Sequence, residues 1–481
     1  MAKFNNTVTN KTTNREGHVA YIMQDRAKLV TQVLTSFFNE SKFYGDNSKE
    51  MCETIKNVIR DDPAFVSKLA VFARREFNMR SVAHVLTGYL ANVPEGKPFV
   101  RQTVEGVVLR GDDATEILSF YLSTFGKPIP NSLRRALKGV FATFDAYTLA
   151  KYKGEGHAVK MRDLLRICRP HPETDEQSAM WKQLLDGTLP TPLTWESELS
   201  ANGNTKESWE KLIESGKVGY MALLRNLRNI INACPENIGK VWDKIADPEA
   251  VRRSRQLPFR FLSAYKNLPS GCGSKAVNSL ESAADAACEN LPHLPGKTVI
   301  AVDVSGSMGS NVSSKSEIRC CEIGMMLGLI ANKICDDGVF YEFDNRIEER
   351  TISNRQGILY TCVHEAKARG GTDMRLPFHK MLQDKVKADR IIFISDNECN
   401  YGIRAMQSYA DQYRMELNPD CWVHAIDLMG YGTQQFCGKN TNVIAGWSEK
   451  VFDFILLAEQ GEGTLEKRIE EYEWKHEARV S

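Results

Sequence analysis

"AVDVSGSMGS", residues 301–310, is the stretch on which the reading of this 481-residue chain turns. Lys297–Ile300 lead into it and end in an apolar pair, as a buried strand would begin. The run then breaks into Asp303, Ser305 and Ser307, one oxygen-bearing side chain at every second position. Such a trio could cap a helix, cradle a phosphate or hold a metal ion. The choice depends on what lies around it.

Downstream, "TVIAVDV", "GVFYEF", "ADRIIFISD" and "CWVHAIDL" read as short buried strands. They alternate with helical patterns in "SEIRCCEIGMMLGLIANKI", "RLPFHKMLQDK" and "IRAMQSYADQYRM". Strands alternating with helices predict a doubly wound, parallel α/β domain. Two prolines and a glycine between Pro292 and Thr298 mark its start, so the domain is placed at residues 293–481.

In such sheets ligands sit beyond the carboxyl ends of the strands. Asp303, Ser305 and Ser307 follow the first strand, Thr372 and Asp373 lie in "RGGTDMRL", and Asp396 closes "RIIFISD". Hydroxyls and carboxylates without a nearby His or Cys form a hard-cation ligand set, suited to Mg²⁺. The pattern resembles the metal-ion-dependent adhesion site (MIDAS) of von Willebrand factor A domains, with all five signature positions filled: Asp303, Ser305, Ser307, Thr372 and Asp396. The resemblance implies a divalent metal ion that the hydroxyls contact directly and the aspartates largely through water. It also implies that the ion takes a carboxylate or other anionic oxygen from a partner. The competing readings are weaker. No G-x-x-x-x-G-K-[ST] is present, so a nucleotide-binding P-loop is not indicated. Ser307 could be a plain helix cap, and the cluster could serve only to stiffen loops.

The chain from about residue 18 to 292 has a different texture. "AYIMQDRAKLVTQVLTSFF", "DDPAFVSKLAVFARREF", "KVGYMALLRNLRNIINA" and "GSKAVNSLESAADAACEN" all carry apolar residues at spacings of three and four. Asp62 stands as N-cap and Pro63 at the first helical position. Many helices joined by short Gly, Pro and Asn turns predict an α-solenoid with degenerate repeats or a globular α-domain. Charge divides with texture: residues 1–290 hold 40 Lys and Arg against 33 Asp and Glu, and the remainder 22 against 28.

The basic excess is densest in "LAKYKGEGHAVKMRDLLRICRPHP", residues 149–172. On a helix starting near His157, Arg162, Arg166 and Arg169 stand at i, i+4 and i+7 and line one face. Lys151, Lys153 and Lys160 flank them, and His171 follows. This is the form of a phosphate-contact surface; the alternative is a solvated helix face with its own ion pairs. Arg134, Arg135 and Lys138 in "NSLRRALKG" form a second basic candidate.

The same stretch, with "MALLRNL" (221–227), "LPFRFLSAY" (257–265) and "NREGHVAYIM" (14–23), resembles the TROVE module of Ro autoantigen proteins. The order fits as well, with a helical module followed by an A domain bearing "AVDVSGSM" and "FISDNE". The resemblance implies a multidomain α plus α/β chain. Residues 1–17 would be an N-terminal arm, 18–292 a HEAT-like helical repeat ring, and 293–481 a Rossmann-like von Willebrand factor A domain. It implies a non-catalytic protein that binds small noncoding Y-like RNA on its outer basic surface. Single-stranded 3′ ends of misfolded RNA would enter the central hole, and an exoribonuclease could be tethered through RNA. Lys151 matches the lysine of the family's RNA-contacting Lys-Tyr-Lys segment, and Arg169 stands where many members carry an RNA-contacting histidine. The rival reading is a metal-dependent adhesion or scaffold module acting through the A domain.

Other classes recede. No stretch approaches the roughly 20 apolar residues that a membrane helix needs, and "MAKFNNTVTN" has no apolar signal region. The twelve cysteines include no C-x-x-C pair, as expected for thiols in a reducing compartment. These features suggest a cytoplasmic protein, and the ring, formed within one chain, suggests a monomer. G-x-S-x-G is absent and His364, His379 and His424 stand singly, so no hydrolase is indicated.

Overall fold

Pro63 fixes the backbone at the start of one helix, and the Asp62 carboxylate accepts the Phe65 amide at 3.0 Å. Such caps punctuate a run of ten helices: α1 Asp25–Thr35, α2 Ser48–Asp61, α3 Pro63–Arg75, α4 Arg80–Asn92, α5 Val100–Val107, α6 Gly111–Phe125, α7 Asn131–Phe141, α8 Ala146–Lys151, α9 Met161–Cys168 and α10 Asp175–Asp186. The computed structural model describes residues 11–13, 19–22, 25–35, 48–154, 156–190, 194–216, 218–312, 317–353, 357–396, 399, 406–429, 433–445, 450–460 and 464–474. The chain divides into two units, one of residues 25–193 with 464–481, the other of residues 1–24 with 194–463.

In the first unit the helices stack in two layers. α3, α5, α7 and α9 pack in succession on one side, and α2, α4 and α6 on the other. This is the helical-repeat arrangement of a solenoid. Close approach depends on missing side chains: a Cβ at Gly106 in α5 would lie 2.6 Å from Val71 of α3. Asp113, fully buried near the start of α6, gathers the basic groups of the layer. It accepts hydrogen bonds from Arg74 (3.1 Å), Arg80 (2.5 Å) and His84 (3.1 Å). It also takes the backbone amides of Leu109 (3.0 Å) and Arg110 (2.9 Å). Burial opposes its charge, but these partners outweigh burial and hold the carboxyl far below the usual carboxylate range.

The second unit continues with α11 Trp195–Asn202, α12 Lys206–Glu214, α13 Tyr220–Ala233, α14 Ile238–Ala246, α15 Pro248–Ser254, α16 Pro258–Lys266 and α17 Ser274–Ala287. It then becomes an α/β domain. Its strands are β3 Leu294–Asp303, β4 Cys335–Phe343, β5 Ile347–Glu349, β6 Arg390–Ser395, β7 Trp422–Asp427 and β9 Thr441–Ala445, in the order β5-β4-β3-β6-β7-β9. All neighbours pair in parallel except β5, a hairpin partner of β4 joined by a turn too short for a parallel crossover. The helices are α18 Cys320–Ile334, α19 Ile358–His364, α20 Leu376–Gln383, α21 Gln407–Glu416 and α22 Val451–Glu459. Both faces of the sheet are covered. Val302 and Phe340 meet α18 at Gly328, while Val299, Ala301, Tyr341 and Phe393 share a core with Phe378 of α20 and Tyr413 of α21. That is the doubly wound architecture expected from the alternating pattern.

The early chain differs from expectation. Val19–Ile22 is a strand (β2), not helix, paired to β1 Lys11–Thr13 and to β8 Thr433–Gln434. The β-forming run "VAYI" finds partners across the sequence and the helix starts only at Asp25. The last described segment also groups differently from the expected span. After α22, residues from Thr464 group with the first unit, although they fall in the expected 293–481 span. There α23 (Thr464–Glu470) and the following turn pack on α3, with Tyr472 edge-on to Phe72 at 5.1 Å and the Trp474 indole donating to Ser67 Oγ at 2.8 Å.

Candidate functional site

Two places collect chemistry, one in each unit. The first lies at the carboxyl ends of β3 and β6. Val302 is in register with Ile394, so Asp303 stands beside Ser395, whose hydroxyl donates to Asp303 Oδ2 at 2.6 Å. The other carboxylate oxygen accepts the Ser305 amide at 2.8 Å, which turns the chain sharply away from the strand. Ser305 and Ser307 hydroxyls then come within 3.1 Å of each other, with Ser305 buried and Ser307 exposed. The loop that carries Thr372 is bonded to this turn. Arg369 N donates to Val304 O at 2.6 Å and Gly306 N to Gly370 O at 3.0 Å. Gly370 has φ +67°, and a Cβ there would lie 2.8 Å from Asn345 Oδ1, so a larger residue would be strained. Asp373 does not join Thr372: Arg375 binds both its oxygens, at 2.8 and 2.7 Å.

Asp303, Thr372 and Asp396 are all buried. Burial and the neighbouring Asp396 carboxylate push the Asp303 carboxyl up to about 7, against hydrogen bonds from Ser395 and Ser305 that favour its charge. A buried carboxylate pair edged by hydroxyls fits a hard divalent cation. Among the described residues, no three or more His, Cys, Asp or Glu side chains gather as a metal cluster. A cation here would therefore depend on serine and threonine oxygens beside the carboxylates. Nearby, Lys266 at the end of α16 donates to Glu322 Oε2 (2.7 Å) and to Glu317 O (2.9 Å). This ties the last repeats to the first turn of α18.

The second place is basic and lies on α7, α8 and α9. Here the geometry corrects the expected helix face. Gly154 and Gly156 both take positive φ, and α9 starts only at Met161, where Asp163 accepts the Lys160 amide at 3.0 Å. The helix ends at Cys168 because Arg169 precedes Pro170 and adopts φ +47°. Arg162 and Arg166 stay on the helix; Arg169 is its cap residue and leaves the i, i+4, i+7 line. Arg166 and Arg169 are exposed and Arg162 half-buried, and Arg166 approaches Asp163 at 4.0 Å. Lys153 donates to Leu189 O at 3.0 Å and is half-buried. Lys151 is exposed, its ammonium 5.3 Å from the Tyr147 ring and 5.4 Å from the Tyr152 ring. His171 is exposed as well.

The two basic stretches, separate in sequence, adjoin in space, because α7 packs on α9. Burial raises the Cys168 thiol to about 12 against the opposing charges of Arg134 and Lys138, which places both cations near the end of α9. Arg134 and Arg135 are exposed and Lys138 half-buried. Positive groups of α7 thus lie close to the end of α9, while Lys151 stands at the end of α8. Sequence spacing alone did not show that adjacency.

Residues 8–188 and 178–305 match the TROVE domain, together more than half of the chain. The chain belongs to the TROVE family. Residues 297–429 of this TROVE protein match the Ro60 vWA domain, a span that includes Asp303 at the end of β3 and Asp396 just after β6. Similar proteins include Telomerase protein component 1 of Rattus norvegicus, 26% identical over 304 residues, covering 46% of this chain and 11% of that protein. RNA-binding protein RO60 of Deinococcus radiodurans is 25% identical over 337 residues, covering 59% of this chain and 63% of its own. The alignments thus span about a tenth of the telomerase component and less than two thirds of the Deinococcus protein. In fold, the chain matches the crystal structure of the Deinococcus radiodurans RO (RSR) protein with a TM-score of 0.63 at 20% identity, over 83% of this chain and 92% of that one. A TROVE module followed by a Ro60-type A domain is the organisation the sequence motifs pointed to.

Proposed function

We propose that this chain is a non-catalytic, Ro-type RNA-binding protein acting in RNA quality control or processing. Small structured RNA of the Y type binds the basic surface of α7–α9, and single-stranded 3′ ends of misfolded RNA enter the central opening that its family likeness implies. The observation that carries the reading is a TROVE match over residues 8–305 on a chain whose α7 and α9, both bearing exposed cations, pack together. Two relatives named RNA-binding protein RO60, from Deinococcus radiodurans and Caenorhabditis elegans, support it. Affinity comes mainly from phosphate contacts and therefore falls steeply with salt. Duplex RNA is read through backbone and shape, with little sequence dependence.

The oxygen cluster of Asp303, Ser305, Ser307, Thr372 and Asp396 is proposed to hold Mg²⁺. The ion would supply positive charge to which an anionic oxygen of a partner can bind, while the exposed Ser307 marks the open side. A protein ligand bearing a carboxylate suits that position; an exoribonuclease would be tethered separately, through the bound RNA. Replacing Lys151, Arg166 and Arg169 together by Ala tests the RNA surface. Hairpin RNA binding at moderate salt should weaken, and the slope of log K against log salt should fall by up to about 3, near 0.9 per lost phosphate contact. An unchanged dissociation constant and slope would move the RNA site elsewhere.

A further inference from the structure

Five large hydrophobic side chains stand more than a third exposed among the described residues; of these, Tyr147 has the Lys151 ammonium near its ring, and Leu109 precedes Arg110 in the chain. Tyr147 is 54% exposed and Leu109 46%. Lys151 sits between the Tyr147 and Tyr152 rings, and the Arg110 guanidinium lies 5.3 Å from the Tyr152 ring on its own approach. A Cβ at Gly111 would meet Thr148 Cγ2 at 2.6 Å and Tyr152 Cδ2 at 2.9 Å, so the start of α6 and the end of α8 are in direct contact.

The patch is held from beneath. The buried Asp113 accepts the amides of both Leu109 and Arg110, and Arg74, Arg80 and His84 in turn hold Asp113. Asp145 caps α8 by accepting the Thr148 amide at 2.8 Å. Arg110 shares Asp112 with Arg80, at 3.0 and 2.8 Å, whereas Lys151 meets no carboxylate among the described residues. An exposed aromatic ring and two nearby cations on a hydrogen-bonded base combine π-stacking with phosphate attraction. A regular duplex offers only the second partner, because its bases hide their faces in the stack.

We propose that Tyr147, with Lys151 near its ring and Arg110 near the neighbouring Tyr152 ring, is a stacking platform for one unpaired nucleobase of the bound RNA. The proposal rests on the RNA-binding reading above and narrows its substrate to structured RNA with an unpaired nucleotide beside a helix. Lys151 and Arg110 take the phosphates on either side of the splayed base.

The test uses the full chain and two hairpin RNAs, one fully paired and one with a single unpaired 2-aminopurine in its stem. Wild-type protein should quench the 2-aminopurine fluorescence and bind that hairpin about five- to tenfold tighter than the paired one, the lower range of base–aromatic stacking. Tyr147→Ala should lose the quench and the preference while binding the paired hairpin as wild type does. Tyr147→Phe should keep both. Because Tyr147 is half exposed, the Tyr147→Ala thermal melt should match wild type. Tyr147→Ala retaining the quench and the preference would overturn the proposal. So would wild-type protein that binds both hairpins equally without quenching. Wild-type protein that binds neither hairpin would overturn the RNA reading itself, and the patch would then fall to an acidic protein partner.

Discussion

Asp113→Asn removes one negative charge from the centre of the first unit and little else. Asp113 is fully buried, and Arg74 beside it is 6% exposed. The asparagine keeps the shape and one acceptor oxygen, but it leaves the Arg74 guanidinium buried without a counter-ion, while Arg80 keeps only Asp112. Breaking a buried pair from one side costs about 3–5 kcal/mol, because the stranded charge has no water to turn to. For a unit of this size that corresponds to a drop of about 6–20 °C in the melting temperature. The pH dependence is the sharper signature. Asp113 is held below its ordinary carboxylate value in the folded protein, so its contribution is complete above about pH 4 and fades as pH falls further. The variant should lose that acid limb and show a flatter stability curve below pH 4. Urea unfolding followed by far-ultraviolet circular dichroism from pH 3 to 7 measures both effects. Stability within about 1 kcal/mol of wild type, with the acid limb intact, would refute the assignment of Asp113 as the charge centre of this layer.

Two further outcomes follow from groups in the second unit. Burial raises the Glu459 carboxyl, but hydrogen bonds from His424 and the Arg390 guanidinium outweigh it and bring the group to about 2. Its stabilising effect should be full above about pH 4.5 and decline toward pH 2, and Glu459→Gln should abolish that decline in a thermal melt of the protein. Mg²⁺ at about tenfold its dissociation constant should stabilise the wild-type protein by about 1.4 kcal/mol. Calorimetry with and without MgCl2 would show the shift, and Asp396→Ala should remove it; equal shifts in both proteins would place the ion elsewhere.

Much of the architecture could be read from the chain because local patterns and tertiary packing agree. The alternation that marked β3, β4, β6 and β7 is that of strands covered on both faces, and the Asp62–Pro63 start of α3 is a purely local signal. The grouping of Asp303, Ser305 and Asp396 was legible because parallel strands end together. What escaped reading depends on distant partners. β5 and β9 are short and gain their identity from neighbours in the sheet. The start of α19 is capped by Glu281 of α17, which accepts the Leu359 amide at 3.1 Å and the Tyr360 amide at 2.7 Å. Arg169 left its expected face because of the proline after it, a local signal outweighed by the appeal of regular spacing. Lys153 looks like a free cation in the sequence and is committed to the Leu189 carbonyl in the fold. The adjacency of Arg134 and Lys138 to the α9 cap depends on a helix–helix contact that no periodicity encodes.

The most direct test of the account is a titration of the protein with a hairpin RNA bearing a single-stranded 3′ tail, against a blunt hairpin, at two salt concentrations, with and without EDTA. The account predicts tight, tail-dependent binding that weakens steeply with salt and survives EDTA. Binding that is weak, indifferent to the tail and unchanged by salt would contradict it, and a partner lost on chelation would point instead to the A domain as the binding end of the molecule.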